Sequence, residues 1–401
     1  MIWLARFLLG TLVYFWLSAL VRAIRSKKDD EYRVTKDTPP PVGAPSVGVV
    51  VPARNEVDNI GACVDAILAQ SHASLRLVVL NDGSTDGTEA ALAKRSGDAR
   101  LSVVQGGGGA LPENWLGKAW ACQRAAKHLL DGEDAPDWLL FVDADVVLHP
   151  HAVSGVLGHA IANDLAMLSG LGRLVMESFW EKVMQPVVAG LIMAGNDLQK
   201  VNDPEQRDER PLANGQFILV RSDAYLAVGG HEAVRQDVLD DVGMATAITS
   251  GGYPYHLVFM RDLFDCRMYT SLSALWEGWT KNLFAGIHQS WFNLSVLVIL
   301  LAWSALFPYG LLAWGLVTGA HEWAWWGGGI ALLIQSVRLW LDVQLGQDVR
   351  YGPTQPLGVL LMITIFIHSG IRASRGTAEW KGRTVPIVKP TTHVEDGSDS
   401  T

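Results

Sequence analysis

Residues 75–88 read LRLVVLNDGSTDGT. The first six, Leu75–Leu80, are nearly all Leu and Val, and the run stops at Asn81-Asp82-Gly83-Ser84. A short run that is apolar on both faces and rich in β-branched residues predicts a strand covered on both sides, as in a parallel sheet. Working outward, the same pattern recurs twice. Ser46–Val51 (SVGVVV) runs into Pro52-Ala53-Arg54-Asn55-Glu56, and Trp138–Val142 (WLLFV) runs into Asp143-Ala144-Asp145. Between these runs the spacing is helical. Ile60, Cys63, Val64, Ile67 and Leu68 share one face, Asp86–Arg95 has Asp and Thr start signals, and Lys118–Leu130 reads as a third helix. Leu101–Val104 is strand-like. Strands alternating with helices predict an α/β, doubly wound, mostly parallel sheet. Such sheets bind ligands at the carboxyl ends of their strands. Here three strand ends are polar, and that convergence is the main functional signal.

Each motif has a chemical reading and a plainer one. Asp143 and Asp145, one residue apart on a turn leaving a strand, suit a hard divalent cation that also holds a diphosphate. A lone Asp-x-Asp is common on exposed loops, and only the strand-end convergence favours the metal. Asp82 can accept a hydrogen bond from a nucleobase imide N–H, although Asp82-Gly83 and Asp86-Gly87 are also ordinary turn dipeptides. Asp86 reads as a structural cap. Lys118, opening a helix after the glycine run 106–109, can meet phosphate oxygens; a solvated lysine fits the spacing equally. Asp240-Asp241 starts a helix in QDVLDDVGMATAI. One of them can be a general base, or both can simply favour the helix dipole.

Composition sets the surroundings. Of 401 residues only 18% are charged and 49% are hydrophobic, with 16 Trp. The formal net charge is 32 − 41 = −9, which argues against a nucleic-acid partner. Cys63, Cys122 and Cys266 are far apart and match no disulfide or zinc pattern. Residues 1–21 carry one charge, Arg6, and Arg22, Arg25, Lys27 and Lys28 follow it. That order of charges, with no small-residue cleavage site, predicts an uncleaved anchor with its N-terminus outside. Residues 292–321 and 351–371 contain no Asp, Glu, Lys or Arg, and Trp323–Val343 contains Arg338 and Asp342. The expected organisation is an anchor at 1–23, a Pro-rich linker at 24–45, a cytosolic domain at 46–270 and an interfacial helix at 271–291. About three transmembrane helices at 292–374 and a polar tail at 375–401, disordered from Thr391, complete it. Ser178–Gly195 is a second candidate for the interface. Four crossings would leave the C-terminus outside, against Arg372, Arg375, Lys381 and Arg383. One apolar segment is therefore expected to be re-entrant or interfacial.

Together PARNE (52–56), NDGSTDGT (81–88), GK (117–118), DAD (143–145) and LDD (239–241) resemble the family 2 glycosyltransferases of the GT-A fold, over roughly Ser46 to Lys281. The anchor, NWLGKAWA, ESFWE (177–181), VNDP (201–204) and WKGR (380–383) are similar to a membrane branch that includes hopanoid-associated and carotenoid glycosyltransferases. The resemblance implies a membrane-bound, inverting glycosyltransferase of a bacterial cell membrane. It would move a sugar from a nucleotide-sugar donor, UDP-hexose by expectation, to a hydroxyl of a lipid acceptor, with Mg²⁺ or Mn²⁺ as cofactor. It implies that Pro52, Glu56 and Asp82 lie on the nucleotide, Lys118 on the diphosphate, Asp143 on the ribose or metal and Asp145 on the metal. Asp241 is implied as the base with Asp240 beside it, and Asn214, Gly215 and Gln216 as the acceptor-side loop. The sequence departs in two places. Asn81 stands where many members have Asp, and the Gln-x-x-Arg-Trp motif of processive synthases is replaced by Glu277-Gly278-Trp279-Thr280-Lys281. Lys281 is then the expected substitute on the acceptor and diphosphate side. Three rivals remain: a polyprenyl-phosphate sugar synthase using Arg207, Arg210 and Arg221, a processive polysaccharide synthase, and a non-catalytic membrane scaffold that keeps the fold, which the filled acidic motif positions disfavour.

Overall fold

The computed structural model describes residues 2–25, 31–132, 134–209, 211–375, 377–380 and 383–386. The chain opens with α1 (Ile2–Arg25), β1 (Val47–Ala53), α2 (Ile60–Leu68), β2 (Leu75–Asn81), α3 (Thr88–Ala93), β3 (Leu101–Gln105) and α4 (Gly117–Leu130). It continues through β4 (Trp138–Val142), β5 (Val146–Leu148), α5 (Ala152–Ala162), β6 (Met167–Leu171), β7 (Arg173–Leu174), α6 (Phe179–Gly195) and α7 (Leu198–Asn202). Then come β8 (Phe217–Arg221), α8 (Ser222–Ala227), α9 (Gly230–Ala233), α10 (Asp240–Ser250), β9 (Tyr255–Phe259) and β10 (Phe264–Cys266). The last part holds α11 (Leu272–Gly286), α12 (Trp291–Leu301), α13 (Phe307–Thr318), α14 (His321–Gln344), α15 (Gln355–Ser374), β11 (Thr377–Trp380) and β12 (Arg383–Pro386).

A seven-stranded sheet has the order β3-β2-β1-β4-β8-β6-β9. β1 to β4 pair in parallel, as the apolar runs predict. β8 runs antiparallel between β4 and β6, and β9 is parallel to β6. Val49, Val50, Val51, Leu77, Val79, Leu80, Leu139 and Leu140 are fully buried because helices cover both faces. On one side Ile60, Cys63, Val64 and Ile67 of α2 pack on the sheet, and on the other Ala121, Cys122, Ala125 and Leu129 of α4 do. A small sheet, β5-β10-β7, clamps the turn that leaves β4.

The first helix after β2 is shorter than the Asp86–Arg95 expected. Asp86 accepts from Val57 N, Thr88 N and Thr88 Oγ1 at 3.0, 2.9 and 2.6 Å, which holds it in the turn. The segment 271–291 divides: α11 ends at Gly286, His288 and Gln289 adopt positive φ, and α12 starts at Trp291. At the C-terminus β11 and β12 pair where a polar tail was expected, and the stretch from Thr391 lies outside the described residues.

Three stretches are long and apolar enough to cross a membrane: Ile2–Arg22, Trp291–Thr318 and Val349–Ser374. α12 and α13 are one rod with a π-turn at Ala302–Leu306. Pro308 lacks the N–H that Ser304 O would accept in a regular helix. Trp16 Nε1 of α1 donates to that carbonyl instead, at 2.9 Å, so the freed acceptor is satisfied. Gly319, at φ 71°, then turns the chain back into α14.

Candidate active site

The cleft lies at the carboxyl ends of β1, β2 and β4. Behind Asp82 the glycine run is shaped by close approach. A Cβ on Gly83 would sit 2.3 Å from Gly108 Cα, and one on Gly106 would sit 2.7 Å from Asp82 Cα. The loop is held there by Arg124, which donates to Gly106 O and Gln105 O. Asn81 explains its own departure from Asp. Its amide donates to Gln105 Oε1 at 3.0 Å while its oxygen accepts from Ser84 N at 3.3 Å; a carboxylate can do only the second. Asp82 is buried, and Arg54 donates to its main-chain oxygen. Glu56 sits under the β2 loop, with its N–H donating to Thr88 Oγ1 and Asn59 Nδ2 donating to its carboxylate. Pro52 keeps a strand position against Leu80.

The diphosphate candidates meet in the middle. Lys118, on the first turn of α4, is 2.7 Å from Asp143 Oδ1. Burial works to lower the Lys118 ammonium, but Asp143 and Asp240 outweigh it and hold the group well above its ordinary range. Asp143 N donates to Gln216 O, which ties the Asp143-Ala144-Asp145 turn to the loop before β8. Cys266 of β10 lies beside Asp145, and burial with Asp145 and Asp143 pushes its thiol up. Asp143 and Asp145 offer two carboxylates on one turn, oxygen donors of the kind hard divalent cations take. Among the described residues no cluster of three or more His, Cys, Asp or Glu side chains makes a self-sufficient metal site.

Asp241 stands across from Lys118. Its Oδ2 accepts from Gly215 N at 2.8 Å and its Oδ1 from Val242 N at 2.9 Å. A Cβ on Gly215 would lie 3.1 Å from Lys118 Nζ and 3.3 Å from Asp241 Oδ2, so the glycine lets cation and carboxylate share one space. Burial and the neighbouring Asp240 raise Asp241 to about 6, against the opposing pull of Lys118 and the backbone N–H groups. Asn214 is anchored by Ser169 Oγ and Gly170 O and donates to Gln216 Oε1, which fixes the loop rather than presenting either amide freely. Lys281 reaches the same space from α11. Burial lowers its ammonium first, partly offset by Asp240, Asp143 and Asp241.

The structure thus brings Lys118, Asp143, Asp240, Asp241, Gly215 and Lys281 together, with Pro52, Glu56 and Asp82 on the neighbouring strand ends. Arg221 is not among them: antiparallel β8 pairs it with Trp138 at the far end of β4, where it holds Asp223 at 2.6 Å. Arg210 lies outside the described residues. Two neighbours carried no motif. Tyr269 is driven up by burial and by Asp145, and its ring packs so close to Gly278 of α11 that a Cβ there would lie 2.2 Å away. His231, under Phe141 and bonded to Tyr225, is pushed down to about 4 by burial. An isolated aromatic residue in a loop, such as Tyr269, or in a four-residue helix, such as His231, gives no periodic signal.

Residues 48–229 match the family model described as "Glycosyl transferase family 2". The chain carries a family 2 glycosyl transferase domain. It is 27% identical over 349 residues to a protein named 4,4'-diaponeurosporenoate glycosyltransferase from Staphylococcus aureus (strain MRSA252), covering 85% of this chain and 88% of that one. A protein of the same name from strain bovine RF122 / ET3-1 is 27% identical over 355 residues, covering 86% and 89%. The solved mannosyltransferase PcManGT from Pyrobaculum calidifontis, in complex with GDP-Man and Mn2+, superposes with a TM-score of 0.52 at 16% identity, covering 91% of this chain and 97% of that one. The last similarity establishes the fold, the GT-A type. This glycosyltransferase is therefore an enzyme whose GT-A sheet is joined to apolar helices at both termini.

Proposed function

We propose that this glycosyltransferase moves a sugar from a nucleotide-sugar donor to a hydroxyl of a lipid acceptor, with inversion, at the cytosolic face of a bacterial membrane. The observation that carries this is the meeting of Asp241, Gly215, Lys118 and Asp143 at one point. A base and an anion-binding cation face each other, and α11 brings Lys281 within electrostatic reach of both.

Asp82 accepts a base imide N–H, which favours uracil or another imide-bearing base, and Glu56 supports the loop around it. Lys118 and Lys281 neutralise the leaving diphosphate. Asp143 and Asp145 would hold Mg²⁺ or Mn²⁺, which supplies charge stabilisation to that diphosphate. Asp241, ionised above pH about 6, takes the acceptor proton as the acceptor oxygen attacks the anomeric carbon and the C1–O bond to the diphosphate breaks. A single displacement with one base and no protein nucleophile inverts the centre. The relatives' names point to a carotenoid-type acceptor and, by their -oate ending, to a carboxylate as its reacting group, which is the alternative to a hydroxyl; a hopanoid remains within the same lipid class. The phosphate acceptor of a polyprenyl-phosphate synthase is disfavoured, because Arg221 stands at the opposite end of the sheet.

The test uses the full chain in lipid nanodiscs with UDP-[¹⁴C]glucose, a divalent cation and lipid extract. Label is expected in the organic phase, and Asp145→Ala and Asp241→Asn should each abolish it while the protein stays folded. Near-full transfer by the Asp241 variant to a hydroxyl acceptor would overturn the base assignment.

A further inference from the structure

The last long apolar helix has the length of a transmembrane span, but its contacts are those of a helix lying within one leaflet. α1 and α14 run side by side in the same direction, their first turns joined by Arg6 and Glu322 at 2.7 Å. α12–α13 and α14 form a hairpin closed at Gly319. At twenty residues α15 is about 30 Å long, so a spanning α15 would put its two ends at opposite ends of that hairpin. They lie at the same end. At its start, Gln355 accepts from Arg338 Nη1 at 2.9 Å, six residues or about 9 Å before the end of α14. At its finish, a Cβ on Gly370 would be 3.0 Å from Trp291 and from Leu294, in the first turn of α12. The cluster that holds α15 reaches only to Ala305 and Leu306, halfway along the α12–α13 rod.

The inner side of α15 rests on the catalytic domain's own helices. A Cβ on Gly358 would touch Val183 O of α6 at 2.5 Å, so only glycine admits that approach. Phe284 N of α11 donates to Ser369 Oγ at 3.1 Å. Arg338 locks the junction, donating to Asp342 within α14 and to Lys182 O of α6. The outer side is a stripe with heptad spacing, Leu357, Leu360, Thr364, Ile367 and Ile371, all exposed. The one hydroxyl in it is satisfied internally, by Thr364 Oγ1 donating to Leu360 O. An unbroken apolar stripe fits acyl chains rather than water or headgroups, and Arg372 and Arg375 follow where a headgroup boundary begins.

We propose that α15 is a re-entrant helix whose apolar stripe is embedded in the leaflet beside the catalytic domain. The chain therefore crosses three times, through α1, α12–α13 and α14, and returns its C-terminus to the catalytic side. α14 is less apolar than the other two, but its 24 residues are long enough to span, it packs along α12–α13, and its Arg338 and Asp342 are buried and paired with each other. This removes the conflict between four apolar segments and the terminal arginines. It rests on the membrane placement proposed above and not on the transfer reaction, so its test reads no activity.

The test introduces Lys94→Cys, Thr318→Cys or Ser374→Cys, all at exposed positions, into the full chain, whose three native cysteines are buried. Right-side-out and inverted vesicles are treated with an impermeant maleimide. Positions 94 and 374 are expected to label in the same vesicles and position 318 in the opposite ones. Position 374 labelling together with 318 would overturn the proposal. Should 374 be shielded by lipid, a C-terminal alkaline phosphatase fusion gives the same answer: inactive if the terminus is on the catalytic side, active if α15 crosses. Release of the chain by alkaline carbonate would overturn both this proposal and the membrane placement.

Discussion

The two halves of the cleft are built differently. On the side we propose for the donor, Asp82, Lys118, Asp143 and Asp145 leave the ends of parallel strands or the first turn of a helix, and short hydrogen-bonded turns hold them. On the side we propose for the acceptor, Asp241 is held by a backbone N–H of Gly215, and Lys281 and Tyr269 arrive from the segment that leads into the long apolar helices. A diphosphate is the same group whatever sugar it carries, so its holders can be recurrent motifs. A lipid hydroxyl is presented by its surroundings, so its side is built by packing. Removing residues in turn tests that division.

The largest effect belongs to the acceptor side. Asp241→Asn keeps the shape and loses the base. A positioned base contributes about 10²–10⁴-fold, so the turnover rate should fall by about that much while nucleotide binding, read by calorimetry, stays within about twofold. If the acceptor were a carboxylate, already ionised, the same variant would lose far less, and the comparison would separate the two acceptor chemistries. The wild-type turnover rate should rise with pH through about 6, because the base works only when ionised.

Lys118→Met comes next. It removes a charged contact worth about 1.5–3 kcal/mol, or about 10- to 150-fold, and should appear in donor affinity and in the rate. It also removes a cation that favours ionised Asp241, so the acid limb of the pH profile should move upward. A profile that stays in place would break the coupling between the two halves.

Gly83→Ala is a donor-side test of shape alone. The residue has φ 62°, and its Cβ would strike Gly108. Strain of about 1–3 kcal/mol should weaken nucleotide binding roughly tenfold or more, with no change in the pH midpoint. A shifted midpoint would mean the loop reaches Asp241.

Legibility in the sequence followed the same division. Buried parallel strands are unbroken runs of Val and Leu, so β1, β2 and β4 could be read directly, and their polar ends marked the cleft where we propose the donor binds. β8 could not be read this way: FILVR looks like any buried strand, and its antiparallel direction depends on a long excursion through α6 and α7. That direction carries Arg221 away from the cleft. Tyr269 is fixed by a glycine on another element, a contact that no local pattern records. The fate of α15 was invisible for a similar reason. Hydropathy measures whether a helix tolerates lipid, and only the positions of its two ends show whether it crosses.

The smallest effect is expected at Asn81→Asp, where the sequence departs from the Asp that the family resemblance implies. The new carboxylate can still accept from Ser84 N, but it faces Gln105 Oε1 without a proton to donate. Gln105 can turn its amide so that its NH₂ meets the carboxylate, at the expense of its weak 3.5 Å contact with Glu89. The loss should therefore be about one hydrogen bond or less, about 0.5–1.5 kcal/mol, lowering the melting temperature by only a few degrees. Donor affinity should change by less than about fivefold, because Asp82 remains held by the glycine loop and by Arg54. A loss as large as that of Lys118→Met would mean that Asn81 touches the nucleotide itself. The rescue can be checked directly: Gln105→Leu should be mild alone and should deepen the Asn81→Asp defect, since the double variant leaves the carboxylate beside a side chain that cannot turn to meet it.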